Sequence, residues 1–357
     1  MKYSILFIAF FGLCIQNGAS QERSEGIPFN QIQVIGSHNS YKIAIDKPLL
    51  DYVVANNPSS IGLEYEHLPL SDQLNLGLRS LELDVFHDPE GGYYTNPKGL
   101  EIVQSLGKEP KPFDAAQKLQ TPGLKVFHVQ EIDFRSHQLV FTDALRELKK
   151  WSEENQGHTP IIVTLNAKDA EIPLTRTPLP FTADALQQID HEIRSVFSEE
   201  QLITPDKVRG SFETLEMAVL TNGWPLWNEV KNRFLFVLDE GEAKTERYLQ
   251  KYPHLKGAVL FVNKEEGNPE AAFRIINDPI KNFDKIKNLV HLGYMVRTRA
   301  DADTKEARTN DYTRFHRAMA SGAQVITTDY YIPSRLFRSS FQVIFPDGTY
   351  ERVKETE

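Results

Sequence analysis

Short apolar runs alternate with stretches of helical period from about residue 30 to about residue 330. The runs that read as strands are Gln33 to Gly36, Ser80 to Phe86, Lys125 to Val129, Ile161 to Leu165, Phe234 to Leu238, Ala258 to Val262, Phe273 to Ile276, Tyr294 to Arg297 and Gln324 to Thr327. They are near-continuously apolar, the pattern of strands covered on both faces. Between them, Phe141 to Trp151 sets Leu145 and Leu148 on one face and Arg146, Glu147, Lys149 and Lys150 on the other, and Ala183 to Val196 repeats the pattern. Strands alternating with helices in a chain of this size predict an α/β fold, most economically a TIM-type (β/α)8 barrel. Nine candidate runs are one too many for eight strands, so one of them is expected to lie off the barrel. The rival open doubly wound sheet lacks a glycine-rich loop after its first strand. Pro173 to Pro180 reads as a long loop at a barrel rim, and Phe341 to Val353, with Pro346-Asp347-Gly348 at its middle, reads as a closing hairpin.

The first residues depart from this pattern. Lys2, an apolar run from Ile5 to Ile15 and the small residues Gly18-Ala19-Ser20 have the layout of a secretory signal. We therefore expect residues 1–20 to be a signal peptide and 21–357 one catalytic domain in a secreted or periplasmic protein, with lipid attachment at Cys14 as a lesser alternative. Cys14 is the single cysteine of the 357 residues, so cysteine catalysis and thiolate metal sites are excluded from the mature chain. Acidic residues outnumber basic ones by 49 to 40, and no basic run interleaves with aromatics. Nucleic acid is thus not an expected partner. A monomer with peripheral membrane contact is expected, Trp224 and Trp227 offering one possible lipid-touching rim and buried packing being their commoner fate.

Polar residues fall at telling places on the strands. The first ends in Ser37-His38-Asn39-Ser40, the second carries Glu82 and Asp84, the third ends in His128 and the fourth in Asn166. In a parallel barrel these places share the C-terminal rim, where active sites are built. Glu82 and Asp84, two apart, point to the same face while Leu81, Leu83 and Val85 point to the other. Two close carboxylates need a cation between them: a hard divalent ion, to which Asn39 and Asn166 could add carbonyl oxygens, or Arg79 or Arg299 inside the barrel. His38 and His128 at one rim can take and give a proton in one reaction, although either alone would read as a core histidine. Tyr41, Lys168 and Asp169 stand near the same rim. No G-x-S-x-G elbow or H-E-x-x-H helix is present, which argues against serine hydrolases and zinc proteases.

Ser37-His38-Asn39-Ser40-Tyr41, Gly77 to Asp84, Lys125 to His128 and Pro160 to Asn166 resemble four ordered signature segments of phosphoinositide-specific phospholipase C. Arg297 to Thr304, Ala320 to Gln324 and Thr328-Asp329-Tyr330 resemble its bacterial and fungal calcium-dependent branch. The resemblance implies a distorted TIM barrel of the PLC-like phosphodiesterases. It implies His38 as general base on the inositol 2-hydroxyl, His128 as general acid on the glycerol oxygen, and Ca2+ held by Asn39, Glu82 and Asp84. A 1,2-cyclic phosphate would form first. Asn166 stands where the eukaryotic enzymes have glutamate, and is the candidate fourth ligand. Lys168, Arg297, Arg299 and Asp301 are candidates for substrate contacts, with a core ion pair as the other reading of the last three. The rivals are a glycerophosphodiester phosphodiesterase, which typically begins with a His-Arg pair where this chain has His38-Asn39, and a catalytically silent barrel used for binding.

Overall fold

A computed structural model describes residues 26–172 and 175–354. The expected signal segment lies outside the described residues. Ten strands are present among them: β1 Ile32–Ser37, β2 Ser80–Phe86, β3 Lys125–Val126, β4 Ile161–Ala167, β5 Phe234–Leu238, β6 Leu260–Val262, β7 Phe273–Ile275, β8 Met295–Arg299, β9 Val325–Thr328 and β10 Glu351–Val353. Eight run in the order β6-β5-β4-β2-β1-β9-β8-β7, all neighbours parallel. A parallel bridge between Asn263 and Phe273 joins the two ends, so the sheet is a nearly closed α/β barrel.

The surplus run is β3. It pairs antiparallel with the end of β2, Val85 against Val126 and Phe86 against Lys125, and stays off the barrel. Its neighbour in space therefore matches its apolar pattern, yet its direction does not match the other strands. Apolar content alone carries no direction, which is why the sequence could not single it out. The predicted hairpin is corrected as well. Its turn forms, with Phe345 N–H on Thr349 O at 3.0 Å, but Phe341 to Phe345 is not a strand, and β10 pairs instead with β1.

The core lies between the barrel and its helices. Leu81, Leu83 and Val85 of β2 pack there with Leu145, Leu148 and Trp151 of the helix Phe141–Glu154 and with Leu186, Ile189 and Ile193 of the helix Ala183–Val196. Thr182 caps the latter by accepting the Ala185 N–H. Trp224 and Trp227 are buried, their indole N–H groups on Gly293 O and Thr159 Oγ1, just ahead of β8 and β4. They sit at the N-terminal end of the strands and form no lipid-touching rim beside the histidines.

Candidate active site

The segment after β1 replaces a sheet ladder with side-chain bonds. β1 meets β2 only at Gly36 opposite Ser80, where a Cβ on residue 36 would lie 2.4 Å from Ser80 O. Beyond that point Ser40 takes over: its N–H reaches Glu82 O at 2.9 Å and its hydroxyl accepts the Glu82 N–H at 2.7 Å. Ser37 bonds Ser40 and Gln73 through its hydroxyl. Asn39 adopts φ 51°, a left-handed conformation asparagine tolerates well, and this turns the chain across the barrel mouth. The two serines of Ser37-His38-Asn39-Ser40 thus build the turn, and His38 and Asn39 are what it presents.

His38 and Asp329 are brought together by register. Ser37 pairs with Thr328, so the next residues of two parallel strands emerge side by side. His38 Nδ1 lies 2.9 Å from Asp329 Oδ1, and Arg299 reaches both, 3.2 Å from His38 Nε2 and 3.0 Å from Asp329 Oδ2. We assign the Nδ1 proton to the Asp329 contact, leaving Nε2 as the acceptor. Burial alone would raise the Asp329 carboxyl, but His38 and Arg299 hold it well below the usual carboxylate range. Asp301 stands behind this pair, fully buried, accepting the Thr328 hydroxyl and the Asp329 N–H. Burial and the nearby Asp329 charge push it up to about 7. It supports the site from inside and is not positioned to meet a substrate.

Glu82 and Asp84 point inward, 3% and 1% exposed. In register, Asp84 faces Asn166 on β4, and Asn166 Nδ2 lies 3.4 Å from Glu82 Oε1. The arginine that meets Glu82 is Arg297, not Arg79 or Arg299. It bonds Glu82 Oε2, Asn277 Oδ1 at 2.9 Å and Asp239 Oδ2 at 3.3 Å, and is itself 1% exposed. Arg79 turns to the far end, 3.6 Å from Glu351 and over the Trp151 ring. Burial raises the Glu82 carboxyl, and Arg297, His38 and Arg299 together outweigh it, leaving it below its ordinary value. Asp84 Oδ2 is buried and makes no hydrogen bond, while Lys168 Nζ stands 3.2 Å away, and the pairing raises Lys168.

His128 reaches the same mouth from the loop after β3. Its Nδ1 is 2.8 Å from Asp133 Oδ2, and Lys42 Nζ is 2.9 Å from Asp133 Oδ1. A cleft of about 300 Å³ is lined by His38, His128, Tyr65, Arg299, Asp303 and Asp329, with Ser59, Ser60, Gly62 and Leu63 along one wall. Larger hollows, of about 460 and 960 Å³, open at the N-terminal end of the barrel, lined by residues such as Arg79 and Thr159 or Gln31 and Gln33, and hold neither histidine. Of the residues singled out in sequence, Tyr41 is buried with its hydroxyl 3.3 Å from Asn39 Oδ1, and Asp169 is tied to Lys244. Asp133, Lys42, Tyr65 and Asp239 carry no motif, and only the fold brings them to the site. Asp329 could have been suspected, since Thr328-Asp329-Tyr330 follows a strand.

The described part of the chain matches a known family almost end to end. Residues 27–355 match the family described as calcium-dependent phosphoinositide phospholipase C. The chain belongs to that family. It is a phosphodiesterase, and the family's cofactor is Ca2+. Among solved structures it is similar to the calcium-dependent phosphoinositol-specific phospholipase C of a Pseudomonas species, described with myo-inositol, at 15% identity and TM-score 0.58 over 93% of this chain and 96% of that one. It is similar also to the calcium-dependent phosphatidylinositol-specific phospholipase C of Streptomyces antibioticus, at 17% identity and TM-score 0.52 over 88% and 99%. At these identities the likeness shows the fold, a PLC-like TIM barrel. No curated protein sequence matches the chain.

Residues of the candidate calcium site suit a hard cation. Among the described residues no three His, Cys, Asp or Glu side chains form a metal-binding group, and the candidate donors are two carboxylates and two amides. Asp84 Oδ2 is a buried oxygen whose one close partner is the partly exposed Lys168 ammonium at 3.2 Å. Asn39 gives its amide N–H to the Tyr65 hydroxyl at 2.7 Å, which fixes its carbonyl oxygen as a free donor to a cation beyond the long Tyr41 contact. All-oxygen sets of this kind fit Ca2+.

Proposed function

We propose that the chain is an exported enzyme that cleaves phosphatidylinositol, or a related inositol phosphodiester, by attack of the inositol 2-hydroxyl on its own phosphate. The observation that carries this reading is the pair of histidines in one cleft, each with a buried carboxylate on Nδ1, with the inward Glu82 carboxylate 3.6 Å from His38 Nε2. His38 Nε2 takes the proton of the 2-hydroxyl as its oxygen bonds to phosphorus, and Asp329 stabilises the imidazolium that results. The bond from phosphorus to the glycerol oxygen breaks, and His128 Nε2 gives that oxygen its proton. The products are a 1,2-cyclic inositol phosphate and a diacylglycerol. Asn39, Glu82, Asp84 and Asn166 would hold the calcium ion, which when bound neutralises negative charge on the phosphate. Arg299 lies within reach of both His38 and the open cleft, where its guanidinium suits a phosphate oxygen, and Lys168, partly exposed, is the cation beside Asp84. Arg297, by contrast, acts on substrate only through Glu82.

Export rests on the layout of residues 1–20, and a single catalytic domain on the family match that spans 27–355. Phosphorus NMR of the purified enzyme with phosphatidylinositol and with glycerophosphoinositol, each with calcium, tests the assignment. The cyclic phosphate is expected as the first product from phosphatidylinositol, and the signal is expected to vanish in excess chelator. Direct formation of an open monoester from glycerophosphoinositol, with no cyclic species, would instead identify a glycerophosphodiester phosphodiesterase.

A further inference from the structure

His128 is the one member of the proposed machinery whose place the barrel register does not set. β3 is two residues long and lies off the barrel. After it the chain turns at once, with Asp133 N–H on Val129 O at 3.0 Å and His128 N–H on Asp133 O at 3.2 Å, and this folds the Asp133 carboxylate back onto His128 Nδ1. The other carboxylate oxygen holds Lys42 Nζ, and neither side chain of that ion pair has any exposure to solvent. Lys42 belongs to the turn that carries His38 and Asn39: its N–H bonds Asn39 O at 3.0 Å, and its Nζ sits 4.7 Å from the ring centre of Tyr65, whose hydroxyl holds the Asn39 amide. Two backbone bonds run beside it, Ile43 N–H to Arg135 O and His137 N–H to Tyr41 O. A buried ion pair adds little net stability, because desolvation offsets its attraction, so stability is a weak reason for this one.

We propose that Lys42 and Asp133 are positioning residues, a buried ion pair that ties the loop carrying the acid to the turn carrying the base. The inference rests on the reading of His128 as general acid. Asp133 accepts the Nδ1 proton of His128 and aims Nε2 at the departing oxygen, and Lys42 keeps the carboxylate in place and balances its charge. Neither residue touches a reacting atom. The base arm has its own carboxylate, Asp329, just past a different strand, so the pair acts chiefly on proton donation.

Lys42→Met and Asp133→Asn, singly and together, are to be compared with His128→Ala on two substrates in saturating calcium: phosphatidylinositol, and an aryl inositol phosphodiester whose departing group needs no proton. Phosphatidylinositol turnover is expected to fall by about 10- to 10²-fold, part of the 10²- to 10⁴-fold that a positioned acid supplies, with the aryl diester losing far less and KM little changed. In proton NMR the hydrogen-bonded Nδ1 proton of His128 is expected to shift or disappear in Asp133→Asn. Lys42→Met takes from the buried Asp133 its lysine counter-charge, leaving it only His128, and can fail to fold. The double variant removes both charges and then carries the measurement. Equal losses on both substrates, or no loss, in the folded double variant overturns the proposal while His128→Ala remains selective. A His128→Ala that loses both substrates equally overturns the acid assignment itself, and the role of the pair with it.

Discussion

The two histidines reach one cleft by different constructions. His38 follows directly from barrel register: one residue past a paired position on β1, it meets Asp329 one residue past the partner on β9. His128 hangs from a loop whose only strand is antiparallel and two residues long, and it meets a carboxylate five residues on through a tight turn. Parallel strands hold a side chain by a ladder of backbone bonds, whereas a loop needs anchors of its own, here Lys42 and two backbone bonds to the turn after β1. The comparison teaches that an acid and a base of the same residue type can differ in what would dislodge them.

The largest expected effect separates the two arms chemically. His38→Ala and His128→Ala are each expected to lower phosphatidylinositol turnover by roughly 10² to 10⁴. An aryl leaving group is expected to restore His128→Ala but not His38→Ala, measured as the ratio of kcat on the two substrates. Equal restoration would erase the distinction between the arms.

A smaller effect concerns the carboxylates between them. Asn166 faces Asp84 in register, so Asn166→Asp adds a third charged oxygen to the set. Calcium affinity rises with ligand charge, and the calcium concentration for half-maximal activity is expected to fall several-fold, with binding followed independently by calorimetry. An unmoved midpoint in both measurements would remove Asn166 from the ligand set.

A last expected effect, on stability and not on turnover, bears on the floor beneath the base arm. His67 donates from Nε2 to His38 O at 2.7 Å, stacks on Tyr331, and is 2% exposed with Nδ1 unpaired. Burial pushes it down to about 4 from an ordinary value near 6.5. The folded state therefore binds fewer protons than the unfolded one between these values. Its contribution is full above about pH 6.5 and is lost as the pH falls toward 4, by up to about 3 kcal/mol across the window. His67→Gln, which can still donate to His38 O, is expected to flatten the dependence of urea-unfolding stability on pH in that window. A slope equal to the parent's would show that His67 titrates normally.

Much of this protein is written locally. Continuous apolar runs announced the barrel, because strands covered on both faces need them, and the two-residue spacing of Glu82 and Asp84 announced an inward pair, because side chains on a strand alternate. His38 and Asn166 were legible at the ends of barrel strands, whereas His128, read as the end of a third barrel strand, lies in the loop after the off-barrel β3. Other features have no local signature. Strand direction is decided by pairing, so β3 looked like its neighbours until the barrel closed without it. The partner of Glu82 is 215 residues away, and in sequence Arg79 or Arg299 was the expected one; Arg297 and Arg299 share the inward face of β8, and only their depth in the barrel gives Arg297 to Glu82 and Arg299 to His38 and Asp329. Asp133 and Lys42, 91 residues apart, are ordinary charged residues in sequence and become a buried pair only where two loops meet. Residue type and period are properties of a segment, and the sequence determined those. Which charges face each other inside a low-dielectric core depends on closure of the whole chain, and that the tertiary structure alone decided.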